Sequence, residues 1–174
     1  MCFLYGGMET SMGFWLSTVL VEGRAVASTT AGVFTAVFYA STMIGRMLFG
    51  ILANRLRDIV MIRFGVGIAV VGLAIIFRQS SIVGAALVGL GFAPIFPCLI
   101  NDTGNRFNPK ILTKLIGFEI AAYGVGASVL SPLKGPLLAF VSLEALFPTL
   151  FIMTILLLAI NELLERYEKQ NSGL

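Results

Sequence analysis

Long apolar runs separated by short polar segments dominate this chain. Each run is close to the roughly 20 residues that a helix needs to cross about 30 Å of hydrocarbon. A backbone in lipid must satisfy its own hydrogen bonds, so each run is expected to be helical. The pattern predicts an all-α membrane protein with six transmembrane helices in one bundle over residues 1–165 and a tail over 166–174. The six runs cover residues 2–21, 31–53, 61–77, 81–100, 112–133 and 143–161.

The runs differ in how polar they are. The third and sixth are almost uniformly apolar, which predicts that these two helices face lipid. The other four carry rows of small or polar residues, which is typical of helices that pack on neighbours or line water. This spacing of three hints at two three-helix units within the bundle.

Composition excludes an ordinary soluble domain. The chain is 57% hydrophobic and 12% charged, whereas soluble domains average about 25% charged residues. It contains no histidine, the commonest general base and metal ligand. No phosphate-binding loop, zinc spacing or catalytic triad is visible either, so neither an enzyme nor a metal or cofactor site is predicted. Cys2 and Cys98 lie in apolar runs and are interpreted as buried free thiols.

The basic residues mark the sides of a bilayer. A net charge of +3 would be compatible with nucleic acid binding, but the lysines and arginines sit in short segments between apolar runs. Positive residues concentrate on the cytoplasmic side of membrane proteins. The division predicts that both termini face the cytoplasm of a cell-membrane protein, with the lipid bilayer and no nucleic acid as partner. One side carries Arg46, Arg55, Arg57, Arg63, Arg106, Lys110, Lys114, Arg166 and Lys169, and the other carries Arg24, Arg78 and Lys134.

A carboxylate interrupts the first run. Cys2, Gly6, Glu9, Gly13 and Ser17 fall on one face of a helix. A charge facing lipid is costly, so Glu9 should face protein or water. Two interpretations stay open: a functional acid, or a packing stripe in which a neutral Glu9 is hydrogen-bonded.

The second run carries hydroxyl groups in a row with a cation. Thr35, Tyr39, Thr42 and Arg46 are spaced i, i+4, i+7, i+11. Such a row suits a wet groove for a polar or anionic ligand. The alternative is that Arg46 reaches the cytoplasmic interface or pairs structurally with an acid.

Prolines shape the fourth and fifth runs. Pro94 and Pro97 should bend the fourth helix, either as a fixed kink or as a hinge. The fifth has a small-residue seam for tight helix contact, with Glu119 on the opposite face as a transport acid or a salt-bridge partner of Arg46, Lys114 or Arg106. The segment SPLKGP at 131–136 is expected to end that helix. The seam consists of Gly117, Ala121, Gly124 and Ser128, and the opposite face of Glu119, Tyr123 and Gly126.

Four segments resemble one transporter family. GRMLFGILANRLRD at 45–58 resembles the cytoplasmic-loop signature of the major facilitator superfamily, with Asn54 in place of the usual Asp and Arg57 in place of the usual Gly. YGGMETSMGFWLSTVLVE at 5–22 resembles the seventh helix of sugar-transporting members related to fucose permeases. GLGFAPIFP at 89–97 and IGFEIAAYGVGASVLSPLKG at 116–135 are similar to their tenth and eleventh helices.

The resemblance implies the C-terminal six-helix half of such a carrier, in which two bundles rock around a central site. It implies a cytoplasmic latch at Gly50, Asn54, Arg55 and Arg57. The latch should be electrostatically weak, because Asn54 accepts a hydrogen bond but brings no negative charge.

A lone bundle would leave its polar faces against lipid. A second six-helix bundle, either another copy or a separate N-terminal half, is therefore expected as partner. Three readings of the half-length chain stay open: a half expressed separately, a truncated product or fragment, and a bundle that no longer transports.

The expected function is proton-coupled transport of a small polar solute such as a sugar. Glu9 and Glu119 are the candidate proton carriers, because a low-dielectric surrounding favours the neutral form of a carboxyl group. The alternative function is a non-transporting membrane scaffold or assembly partner. The candidates for contact with the solute are Tyr5, Glu9, Trp15, Tyr39 and Tyr123, of which Trp15 lies off the Glu9 face and fits helix packing better.

Overall fold

The structure is a computed structural model that describes residues 1–52, 55–106 and 108–171, without the side chains of 168, 169 and 171. Asn54 of the predicted latch and the side chain of Lys169 therefore lie outside the described residues. Every regular element within the described ranges is helical. The helices are α1 Cys2–Thr18, α2 Ser28–Leu52, α3 Asp58–Arg78, α4 Ile82–Phe92, α5 Ile95–Arg106, α6 Pro109–Phe140 and α7 Leu146–Asn171.

Within the described residues, five stretches are long and apolar enough to cross a membrane, judged by length and composition. The helix α1 has 17 residues and runs directly into a π-helical turn at Val19–Gly23, so a sixth crossing stays a prediction. The five stretches are Ser28–Leu52, Asp58–Arg78, Ile82–Arg106, Pro109–Phe140 and Leu143–Tyr167.

The fourth predicted span is two helices. Its first part, α4, ends at Phe92 and α5 begins at Ile95. The helix breaks here because Pro94 has no backbone N–H to donate and its ring crowds the preceding turn. The predicted interruption is confirmed at Pro94, whereas Pro97 lies inside α5 without a break. The break leaves carbonyl groups at the end of α4 that need other donors.

The fifth predicted span is longer than expected. The segment SPLKGP does not end it, since α6 continues through Pro132 and Pro136 to Phe140. Leaving the helix in an apolar medium would free more backbone groups than the two prolines already do, so the helix is retained. Lys134, predicted to lie in the connection after the fifth span, is inside α6 and 5% exposed. The predicted charge asymmetry then rests on Arg24 and Arg78 alone for the non-cytoplasmic side.

The third predicted span packs one side on its neighbours, and its lipid-facing role stays a prediction. Half of its apolar stretch is buried, at 50%, against 22% for α2 and 11% for α6. The reason is a glycine seam: a Cβ at Gly91 of α4 would overlap the backbone of Gly65 and Ala69 on α3. Gly72 of α3 and Gly84 of α4 form a second close backbone contact between the same two helices. Close backbone approach through small residues is how helices associate in an apolar medium.

This seam gives a test with a matched control on the same helix pair. Gly91→Ala is expected to lower the free energy of unfolding by about 1–3 kcal/mol, because the added methyl group forces the backbones apart. A Cβ at Gly67 of α3 meets nothing within 4 Å. Gly67→Ala is therefore expected to raise the stability by about 0.5–1 kcal/mol, since alanine is the better helix former. Denaturant unfolding in detergent micelles measures both; equal effects would show that the seam is not tightly packed.

Candidate functional site

Glu9 joins three helices through its carboxylate. Its Oε1 accepts a hydrogen bond from Arg46 Nη2 of α2 at 2.6 Å, and its Oε2 accepts one from the hydroxyl of Tyr123 on α6 at 3.0 Å. The Glu9 side chain is 8% exposed and that of Arg46 is 43% exposed. A buried anion is thus paired with a cation that still reaches outward. We call Glu9, Arg46, Tyr5, Tyr39 and Tyr123 the Glu9 cluster.

Two glycines on the Glu9 face make room for the tyrosines. A Cβ at Gly6 would overlap the backbone carbonyl of Tyr123, and one at Gly13 would overlap the hydroxyl of Tyr39. The two glycines lie about one helical turn on either side of Glu9. The face predicted from the sequence is therefore a packing stripe that also places the carboxyl group of Glu9 against Arg46.

Tyr5 anchors the cluster to the broken fourth span. It is fully buried, and its hydroxyl donates to the carbonyl of Phe92 at 3.0 Å. Phe92 is the last residue of α4, where carbonyls lose their helical donors. The Tyr5 ring also stacks on Phe96 at 6.0 Å and lies 6.0 Å from the ring of Tyr123. The helix break at Pro94 is thus connected to Glu9 through Tyr5 and Tyr123.

Tyr39 is the outer member of the cluster. Its side chain is on the exposed face of α2, with the residue 48% exposed, and its ring meets the edge of Phe38 at 5.1 Å. Its hydroxyl lies against Gly13 of α1, while the Arg46 guanidinium beside the buried carboxylate stays 43% exposed. Such a set can bind a polar or anionic ligand, because Arg46 can exchange Glu9 for another acceptor.

Glu119 lies in a different place. Its Oε1 accepts a hydrogen bond from Thr103 Oγ1 of α5 at 2.6 Å, while its Oε2 is buried and has no hydrogen-bond partner among the described residues. The carboxylate lines a cavity of about 540 Å³ between the start of α1 and helices α5, α6 and α7. Arg46, one of the salt-bridge partners considered for Glu119, is instead bound to Glu9.

A match to a protein family is decisive for the class of this chain. The family model described as Major Facilitator Superfamily matches residues 1–172. The chain belongs to the Major Facilitator Superfamily. Members of this superfamily are membrane proteins that move small solutes, which makes the chain a transport protein rather than an enzyme. A comparison with curated proteins returns no match.

Trp15 is separate from the Glu9 cluster in this superfamily member. Its indole Nε1 donates to the carbonyl of Ser131 on α6 at 2.9 Å. The ring borders a second cavity, of about 550 Å³, between α1 and α6. The residues predicted to contact the solute therefore lie in two places: Trp15 borders this cavity, and the three tyrosines belong to the Glu9 cluster.

The predicted latch residues sit at the start and end of the loop between α2 and α3. Gly50 and Arg55 are exposed, and Arg57 Nη2 contacts Glu165 Oε1 of α7 at 3.1 Å. One turn into α3, Arg63 forms two hydrogen bonds to Glu162 of α7, at 2.6 and 2.7 Å. These pairs tie the loop to α7, and a latch function stays a prediction.

Sequence reasoning missed which residues bind Glu9 and that Lys134 is buried. Arg46 and Tyr123 were each singled out, but nothing local indicated that both bind Glu9, since they lie 37 and 114 residues away from it. Lys134 was missed as a buried group because two prolines and a glycine flank it. Among the described residues no group of three or more Cys, Asp or Glu is arranged to hold a metal ion.

Proposed function

We propose that this chain is the C-terminal six-helix half of a proton-coupled sugar carrier of the fucose-permease type. The bundle comprises residues 1–165 and the tail 166–174, with both termini in the cytoplasm of a cell membrane. The observation that carries the proposal is the Glu9 carboxylate, which is buried, shared between Arg46 and Tyr123, and connected to the outside through a half-exposed guanidinium.

Protonation of Glu9 supplies the coupling step. The ionised carboxylate holds Arg46 by charge and Tyr123 by a hydrogen bond. A proton on Glu9 removes the negative charge, so Arg46 becomes free to bind an oxygen of the solute. Loss of the proton restores the ion pair and releases the solute. Solute binding and protonation thereby favour the same state, which is the requirement for symport.

Glu119 is proposed as a second proton carrier, on the route to the cytoplasm. Its Oε2 is buried and has no hydrogen-bond partner among the described residues, so a proton added there would displace no existing contact. The hydroxyl of Thr103 at 2.6 Å is a suitable neighbour for a group that gains and loses a proton.

A second six-helix bundle is proposed to cover the exposed faces of α2 and α6. These helices have the smallest buried shares, 22% and 11%. At two positions of the small-residue seam of α6, Gly117 and Gly124, an added Cβ would have no described residue within 4 Å. An unpacked seam of this kind suits close contact with another helix. The partner is a separate N-terminal half or another copy of this chain.

Uptake into vesicles tests the carrier proposal. The chain is reconstituted with a co-expressed N-terminal half and, separately, alone, and radiolabelled L-fucose is supplied outside. We expect accumulation above the outside concentration when the vesicle interior is alkaline, and its loss when a protonophore collapses the gradient. Accumulation that ignores the gradient would remove the proton role. No uptake in either preparation, with a stable two-bundle complex in detergent, would favour the scaffold function instead.

A further inference from the structure

An apolar groove runs between the exposed sides of α3 and α7. Its deepest residues are Leu73 and Phe147, which are both buried, and its outer residues include Phe77, Phe151 and Ile152, which are all exposed. The groove holds about 240 Å³, and none of the side chains that line it is charged or polar. The partner bundle proposed above lies on α2 and α6, so it leaves this groove open to the bilayer.

The groove lies where both helices reach one surface of the membrane. Its α3 residues belong to the last two turns of that helix, which ends at Arg78. Its α7 residues belong to the first two turns of α7, which begins at Leu146. Because a helix that crosses the hydrocarbon ends at the interface, an acyl chain in the groove has its headgroup at the level of Arg78.

Arg78 brings a positive charge to this end of the groove. It is exposed, and it forms no ion pair with the residues in the described ranges. Arg24 reaches the same end of α3 through the carbonyl of Phe77, but its guanidinium is already bound to Glu144. Arg78 is therefore the arginine that can accept an anion from outside the chain.

Ala74 connects the groove to Arg78. It lies in the wall of the groove and also in the wall of a shallow hollow along α3, of about 460 Å³, which includes Val70, Val71 and Arg78. Arg78 follows Ala74 by one helical turn, and residues at i and i+4 lie on the same side of a helix. The ridge thus has an apolar channel on each side and a cation at its end, which matches the two acyl chains and one phosphate of a phospholipid.

We propose that this surface binds one anionic phospholipid, with its phosphate on the Arg78 guanidinium. One acyl chain fills the groove over Leu73 and Phe147, and the other lies along Val70 and Val71. The guanidinium donates charge-assisted hydrogen bonds to the phosphate oxygens. The apolar channels accept the chains of any phospholipid, so the selection for a negative headgroup comes from Arg78 and amounts to about fivefold in affinity.

Quenching of tryptophan fluorescence by brominated lipids tests this site locally. A tryptophan is placed in the groove as Phe151→Trp, and Trp15, the only tryptophan of the chain, is replaced by phenylalanine. Vesicles of phosphatidylcholine carry a small share of brominated phosphatidylglycerol or of brominated phosphatidylcholine, at physiological ionic strength. We expect phosphatidylglycerol to bind beside the new tryptophan about fivefold more tightly than phosphatidylcholine, and Arg78→Gln to remove this preference.

Phe64→Trp is the matched control at the other end of α3. Phe64 is exposed, and the neighbouring Arg63 is already bound to Glu162, so the two lipids should quench equally there. Three results would overturn the proposal: equal binding of both lipids at Phe151→Trp, a preference that survives Arg78→Gln, and the same preference at Phe64→Trp.

Two further arrangements keep the test decisive. Where Phe151→Trp fails to fold, Phe77→Trp reports on the same groove. Where Trp15→Phe fails, Trp15 is retained and its quenching in the unmodified chain is subtracted. The measurement involves no solute, so failed L-fucose uptake with an intact lipid preference would reject only the carrier proposal.

Discussion

Glu9→Gln is expected to abolish accumulation of solute against its gradient while leaving downhill movement measurable. Glutamine is nearly the same size and still accepts the hydrogen bond from Tyr123, which the carboxylate accepts at 3.0 Å. It takes up no proton and brings no charge to balance Arg46. The cycle of pairing and release therefore stops, although the fold is retained. Uptake into vesicles with an alkaline interior, compared with exchange at equal pH, measures the two quantities separately.

An exposed acid of the same segment provides the control for Glu9. Glu22 lies in the π-helical turn that follows α1 and is exposed, so Glu22→Gln should accumulate solute like the unmodified chain. Arg46→Gln should also abolish accumulation, and the double variant should accumulate no less solute than either single one, because both substitutions remove the same ion pair. Full accumulation by Glu9→Gln would show that Glu9 serves packing alone.

Arg24→Met is expected to cause the largest loss of stability, about 2–4 kcal/mol of unfolding free energy. Arg24 forms a two-pronged pair with Glu144, with both N–O distances at 2.6 Å. It also donates to the carbonyls of Ile76 and Phe77 at 2.5 and 2.8 Å, which lie in the last turn of α3 and lack helical donors. Its guanidinium is 5.1 Å from the ring centre of Phe147. One side chain thus connects the α1–α2 loop, α3 and the start of α7.

Arg78 serves as the matched control for Arg24. It is an exposed arginine in the last turn of α3, and Arg78→Met should change the unfolding free energy by less than about 0.5 kcal/mol. Arg24→Lys should fall between the two, because an ammonium group cannot reproduce the two-pronged contact. Denaturant unfolding in micelles gives all three values. Equal losses for Arg24→Met and Arg78→Met would mean that the contacts of Arg24 contribute nothing to stability.

Glu9 and Lys134 show which features of the charged sites the sequence alone could predict. The Glu9 face was predictable, since helical periodicity alone places Gly6 and Gly13 beside it, and the cost of a charge in lipid turns it inward. Its partners were not, because Arg46 and Tyr123 reach it through crossings between remote helices. For Lys134 the local signal was misleading: prolines that end helices in water are tolerated in a long helix whose alternative is unpaired backbone in lipid.

The sequence by itself determined the apolar medium, the approximate positions of most apolar helices, the break at Pro94 and the resemblance to the superfamily that the match over residues 1–172 bears out. These follow from the composition of continuous runs, each of which forms its hydrogen bonds internally. Only the tertiary structure decided that α3 is packed through its glycines, that α6 turns its small-residue seam outward, and that Glu9 binds Arg46. Such outcomes depend on which helix faces meet, and that is a property of distances between residues far apart along the chain.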